Sequence, residues 1–143
     1  MTTQAIAGSK VRLLRGDGAD PEVFTDFGEV NSVDGPTASA DEIDVTHFAS
    51  GGYREYITGF LNAGTLTLTC NWTYDAYDTG YNDMIASDPH NYELTYDLGL
   101  TNPAIIAFSA LTTEVTAAHP TDDKVTATIT LRITGALTLT PAS

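Results

Sequence analysis

The sequence has few positive charges. Six Lys and Arg face nineteen Asp and Glu, for a formal net charge of −13. Binding nucleic acid by its phosphates requires clustered cations, so this composition argues against a nucleic-acid-gripping protein. Such acidity suits solubility by self-repulsion, or a surface that DNA must pass without sticking. Cys70 is the single cysteine, which rules out an internal disulfide and any thiol-based metal or redox spacing. No apolar run approaches the roughly 20 residues of a bilayer-spanning helix, so no membrane-spanning segment is expected. The opening "MTTQAIAGSK" lacks a basic start and a long apolar core. It reads as no signal peptide, and the chain is expected to fold where it is made. A phosphate-binding glycine loop, an HExxH helix and a Gly-x-Ser-x-Gly elbow are also missing.

What is present is alternation. In "VTATITLRIT" (125–134) the odd positions are Val, Ala, Ile, Leu and Ile, and the even ones are Thr126, Thr128, Thr130, Arg132 and Thr134. This period of two gives a strand with one dry and one wet face. "TLTLTCNW" (65–72) repeats the pattern and places Cys70 with Leu66, Leu68 and Trp72 as a buried apolar residue. Further strands are read at 10–16, 23–33 (with Gly28 a bulge), 43–48, 91–100, 104–117 and 136–140. Residues 34–50, poor in apolar content and rich in turn formers, read as a long loop. Segment 53–64 fits a helical stripe or a strand about equally. A helix is expected over 76–88, capped by Asp75, with Tyr77, Tyr81, Met84 and Ile85 as its buried stripe and Pro89 beyond its end.

Strands following strands with short turns give a mainly β protein. The expected architecture is an antiparallel β-sandwich or half-barrel with one flanking α-helix, a single domain over 1–143.

Candidate chemistry is sparse. His47 beside Asp41, Glu42 and Asp44 sits in or beside an acidic loop rather than a rigid frame, and "DGADPE" (17–22) does not fit a calcium loop. "RGD" (15–17) is explained by a strand entering a turn. "NWT" (71–73) lies in a strand. No nucleophile–base pair is visible, and no catalysis, cofactor or metal is expected. Tyr53, Tyr56, Trp72, Tyr74 and Tyr77 could form a carbohydrate-binding aromatic platform, although most such rings pack in cores.

The stretch "THFASGGYREYITGFLNAGTLTLTCNW" (46–72) resembles the signature region of long-tailed phage tail tube proteins, or major tail proteins. The resemblance rests on Ser50 and Gly51 closing a loop, the Arg54–Glu55 pair, the Ile57-x-Gly59 step, the Asn62-x-Gly64 turn and the alternating strand after it. Tyr53 falls within the same run. The upstream "GEVNSVDGPTASADEIDVT" (28–46) is similar to that family's strand and long loop. Some members carry an additional immunoglobulin-like domain, for which this chain ends too soon.

This resemblance implies a fold shared with type VI secretion tube proteins. It also implies hexameric rings, stacked into a hollow tube that conducts DNA from capsid to host in a phage or a gene-transfer-agent-like particle. The implied location is the virion tail, after synthesis in the host bacterial cytoplasm. The implied partners are other copies of the chain, a tape measure protein, a tail terminator and baseplate or distal tail proteins, with DNA passing the lumen without specific binding. Residues 34–50 and an N-terminal arm over 1–9 would reach the next ring, Arg54 and Glu55 would pair across subunits, and Thr126, Thr128, Thr130 and Arg132 would line the lumen. The other readings are a virion decoration or adhesion domain, or a carbohydrate-binding β-domain.

Overall fold

The computed structural model describes residues 5–143. Nine strands and one long helix follow the order β1 (Val11–Gly16), β2 (Phe24–Asp26), β3 (Val30–Asp34), β4 (Ser39–Asp44), β5 (Tyr56–Asn62), β6 (Thr65–Asn71), α1 (Tyr74–Ala86), β7 (His90–Tyr96), β8 (Ala104–Ala118) and β9 (Thr126–Thr140). Of the expected N-terminal arm, residues 1–4 lie outside the described residues, and Gly8–Lys10 forms one 3-10 turn.

Seven strands make one antiparallel sheet in the order β2-β1-β7-β8-β9-β6-β3, while β4 and β5 form a separate hairpin. β7 pairs with β8 only over 104–110, and β6 pairs with β9 only over 126–132. The two 15-residue strands β8 and β9 therefore run through both halves of the sheet. Their register shifts between Ala107 and Ser109 and again between Thr112 and Glu114, and bulges of this kind bend a sheet.

The two outermost strands, β2 and β3, are joined by residues 27–29 alone. Three residues span at most about 11 Å, so the sheet must roll until its edges nearly meet. Phe27 N–H donates to the Leu13 carbonyl at 3.2 Å and Asn71 N–H to the Glu29 carbonyl at 2.9 Å, tying this crossover to both edges. The stretch expected as one strand over 23–33 is thus two. Gly28, at φ 98, is the turning point, and a Cβ there would stand 3.3 Å from that of Ala76.

The core fills the rolled sheet as the alternation predicts. Leu66, Leu68, Cys70, Ala127, Ile129 and Leu131 are each 0% exposed. Opposite them pack Leu13, Leu94, Ala110 and the rings of Phe27, Tyr92 and Phe108, whose centroids lie 6.3 and 5.8 Å apart along the row. Trp72 does not continue the buried set: β6 ends at Asn71, and the indole is 39% exposed.

The helix exists where expected, two residues earlier, but its cap and buried face differ from the reading. Thr73, not Asp75, is the N-cap, its hydroxyl accepting the Ala76 N–H at 3.2 Å. Removing that cap by Thr73→Ala should cost about 1 kcal/mol in chemical denaturation. The face against the sheet is Ala76, Gly80 and Asp83; of the expected stripe Tyr77 packs against the core, while Tyr81 and Ile85 are exposed. Close approach selects this face: a Cβ on Gly80 would lie 3.0 Å from Ile129 Cδ1, and Asp83 meets Arg15 of β1 in a two-pronged ion pair at 3.0 and 2.7 Å. Among the described residues no helix is long and apolar enough to cross a membrane.

Candidate functional site

Two surfaces carry the residues singled out in the sequence. The first is the outward face of the four-stranded half of the sheet. Cross-strand partners share a face, so the register Asp34–Thr67–Thr130–Glu114 forms one polar row and Ser32–Thr69–Thr128–Thr116 the next. Asn71–Thr126–Ala118 and Thr65–Arg132–Leu111 flank them. The structure thus brings Thr126, Thr128, Thr130 and Arg132 together with the threonines of β6 on one surface. Threonine suits it, joining high β-propensity to a hydroxyl.

The second surface is the β4–β5 hairpin, which corrects the expected long loop. Residues 39–44 form β4, paired antiparallel with β5 from Ser39↔Asn62 to Asp44↔Tyr56. The same pairing resolves 53–64 as a strand rather than a helix.

The hairpin tip is tied by its own side chains. Phe48–Ser50 makes a 3-10 turn, followed by Gly51 at φ 70. Ser50 Oγ accepts the His47 N–H at 3.1 Å and donates to the Glu55 carboxylate. Thr46 Oγ1 accepts the Glu55 N–H at 2.9 Å, and Arg54 donates to Asp44 at 3.0 Å. Arg54 and Glu55, expected to pair across subunits, therefore both have partners inside their own hairpin. Hydrogen bonds from Thr46, followed by that from Arg54, hold the Asp44 carboxyl below its ordinary range. A carboxylate shifted down contributes above its unfolded pKa and loses that contribution as the pH falls through the folded one, so acid loosens the tip.

His47, Ser50 and Glu55 are in mutual contact, yet they do not form a nucleophile relay. Ser50 and Glu55 both approach the same ring atom, His47 Nδ1, at 3.2 and 3.4 Å. A relay needs the hydroxyl and the acid on opposite ring nitrogens, so this arrangement closes a turn. Among the described residues no group of three or more His, Cys, Asp or Glu converges as metal ligands.

At the hairpin base Asn62 and Gly64 shape the turn into β6. Asn62 Oδ1 accepts the Gly64 N–H at 2.8 Å, and the Gly64 carbonyl accepts from Ile133 N–H at 2.9 Å. Gly64 sits at φ 82, and an added Cβ would fall 1.9 Å from the Thr37 carbonyl oxygen, so only glycine fits. Gly59, within β5, faces Ile43 and Asp41, with room for little else.

The hairpin also displays large apolar groups with no cover from the chain. Phe48 is 109% exposed, Phe60 87% and Leu61 82%. No residue from 39 to 62 belongs to the core or packs against it. A lone two-stranded ribbon is marginal in water, and exposed apolar clusters of this kind mark contact surfaces. Sequence reasoning missed these exposures, although Phe60-Leu61 beside a turn was a visible signal. Of the five aromatics considered as a platform, Trp72 and Tyr77 meet, at 6.3 Å, whereas Tyr53 and Tyr56 stand on the hairpin.

The family model for the lambda phage tail tube protein matches residues 16–140. The chain belongs to that family. Its role is that of a structural tail tube protein, and the resemblance read in residues 46–72 is borne out. No curated protein sequence matches the chain. Among solved structures, this tail tube protein is similar to the tail of an empty GTA particle refined with C6 symmetry, at 15% identity and TM-score 0.77, covering 95% of this chain and 99% of that one. The SPP1 tail tube matches at 14% identity and TM-score 0.71, over 96% and 80% of the two chains. A chain of the PVC sheath-tube complex, from an extracellular contractile injection system, matches at 18% identity and TM-score 0.71, over 96% and 93%. At these identities the likeness is one of fold: the mainly β, antiparallel, single-helix architecture is that of tail tubes.

Proposed function

We propose that six copies close into a ring and that rings stack into the hollow tail tube of a phage or gene-transfer-agent-like particle, through which DNA passes from capsid to host. The observation that carries this reading is the tail tube family match over residues 16–140. The C6 symmetry of the similar GTA tail supports the ring number.

The sheet supports a specific ring closure. Among the described residues β3 pairs only with β6, and residues 111–118 of β8 pair only with β9. These are the two free edges of the four-stranded half, and free edges seek strands. Four antiparallel strands per copy is an even number, so a rotation that joins β8 of one copy to β3 of the next continues the antiparallel alternation around the ring. The threonine rows, with Arg132, then face the lumen, and Asp34 and Glu114 on that face repel DNA phosphates. The β4–β5 hairpin and the N-terminal arm reach neighbouring copies and rings. A tape measure protein, a tail terminator and baseplate or distal tail proteins complete the tail, and the chain is made in the host bacterial cytoplasm.

Electron microscopy of the concentrated protein tests this reading. Hollow tubes or six-fold rings are expected, and more of them at higher salt, because copies of net charge −13 repel one another. A reconstruction with residues 126–132 on the outer wall would refute the lumen assignment.

A further inference from the structure

The helix is turned the wrong way for a monomer. Its buried face is Ala76, Gly80 and Asp83, while Tyr74, Tyr81 and Ile85 are 70%, 46% and 61% exposed. Tyr74, Asp78, Tyr81 and Ile85 fall at i, i+4, i+7 and i+11, one continuous outward stripe. Beside it the rings of Tyr77 and Tyr81 lie nearly parallel, 8° apart in orientation and 6.5 Å between centroids, and Trp72 meets Tyr77 at 6.3 Å. Tyr77 packs against the core and backs this stripe, while the chain leaves Tyr74, Tyr81 and Ile85 in water, and such a patch marks a contact site.

The charge around the stripe names the chemistry of its partner. From Glu55 to Asp123 there is no Lys or Arg, and Asp75, Asp78 and Asp88 are exposed on or just after the helix. Exposed carboxylates without free cations beside them disfavour nucleic acid and anionic lipid, which bind through cations. A second copy is a poor match: Arg12, Arg15 and Arg54 are ion-paired within their own chain, and the other three cations are dispersed, Lys10 in the 3-10 turn, Lys124 in the β8–β9 connection and Arg132 on β9. Aromatic faces interleaved with carboxylates suit a guanidinium, which stacks on the ring and pairs with the acid at once.

We propose that the outward face of α1 is the docking surface for a different protein that presents arginine side chains over an apolar surface. This inference is independent of the tube reading, since it rests on the single chain.

Trp72 is the only tryptophan, so its fluorescence reports the site. The probe is a blocked amphipathic helical peptide with leucine on one face and arginine flanking it. Saturable quenching or a spectral shift of Trp72 is expected. Tyr81→Ala and Ile85→Ser, both at solvent-facing positions, should each weaken binding about tenfold. Asp122→Asn with Asp123→Asn, in the distant β8–β9 turn, should change it less than about twofold. Equal losses in both sets would mean attraction to net charge alone and would overturn the proposal, as would an unperturbed Trp72.

A second readout uses assembled particles carrying the photo-cross-linking residue p-benzoylphenylalanine at position 85. A cross-link to another polypeptide, next to arginine in its sequence, supports the proposal. A cross-link only to further copies of this chain, or none, refutes it. Tubes that still form in the Tyr81→Ala variant would keep this outcome separate from that of the tube reading.

Discussion

Replacing residues 38–62 with two glycines should leave a folded protein that forms no tubes. The folded part of this result follows from how little the hairpin gives to the body of the molecule. None of its residues enters the core or packs on it, and apart from the Asn62 side chain accepting from Gly64 N–H at its base, the hydrogen bonds described for it close within β4, β5 and the tip. The ends to be joined already touch. Gly64 lies against the Thr37 carbonyl, and Gly35 against Thr65 and Leu66, so a short linker spans the gap without strain. Loop shortening of this kind lowers the closure cost by about 2 kcal/mol. The loss of tubes follows from the apolar surface that goes with it, since Phe48, Tyr53, Phe60 and Leu61 are the most exposed large apolar groups among the described residues. Thermal denaturation should shift by only a few degrees, while electron microscopy should show dispersed particles in place of tubes. Normal tubes from the shortened chain would refute an assembly role for the hairpin. A molten product would refute its independence from the core.

The second large effect concerns the polar contact between helix and sheet. Asp83→Ala should destabilise the protein by about 3–5 kcal/mol, because it strands a guanidinium whose partner is removed. The Asp83 side chain is 8% exposed and that of Arg15 23%, so water offers Arg15 little compensation. Burial lowers the Arg15 pKa, but the hydrogen bonds and charge of Asp83 outweigh it and the net shift is upward. Arginine stays charged, so the unpaired state cannot be relieved by losing a proton. Replacing both partners with apolar residues, Arg15→Met with Asp83→Leu, should recover most of the loss, since a buried pair is often matched by well-packed hydrophobes. Urea midpoints of Asp83→Ala and of the double variant make the comparison. If Asp83→Ala cost under about 1 kcal/mol, the pair would behave as a surface ion pair.

How much of this was legible in the sequence depended on where each element's partners lie. The threonine strands were readable because their alternation is local: Leu66, Leu68 and Cys70 and the set Ala127, Ile129 and Leu131 announce one dry face each. The helix was readable in length, from its period and Pro89, but not in orientation. Apolar periodicity points to Tyr81 and Ile85, whereas the packed face is decided by a missing Cβ at Gly80 and by a carboxylate meeting an arginine 68 positions away. β4, with the sequence SADEID, has almost no strand signal of its own, and its existence depends on pairing with β5 across a tip of eleven residues. The signature residues from Ser50 to Gly64 were visible as a pattern through resemblance. Their physical reasons, a side-chain lock at the tip and a carbonyl pressed against Gly64, needed the structure.

The long strands β8 and β9 have a consequence for how the molecule melts. Each threads both halves of the rolled sheet, so neither half can open without tearing the ladder of the other. The body is therefore one cooperative unit, with no seam along which a half-unfolded intermediate could separate. Among the described strands only β4 and β5 stand outside that unit, so the hairpin can fray while the rest stays closed.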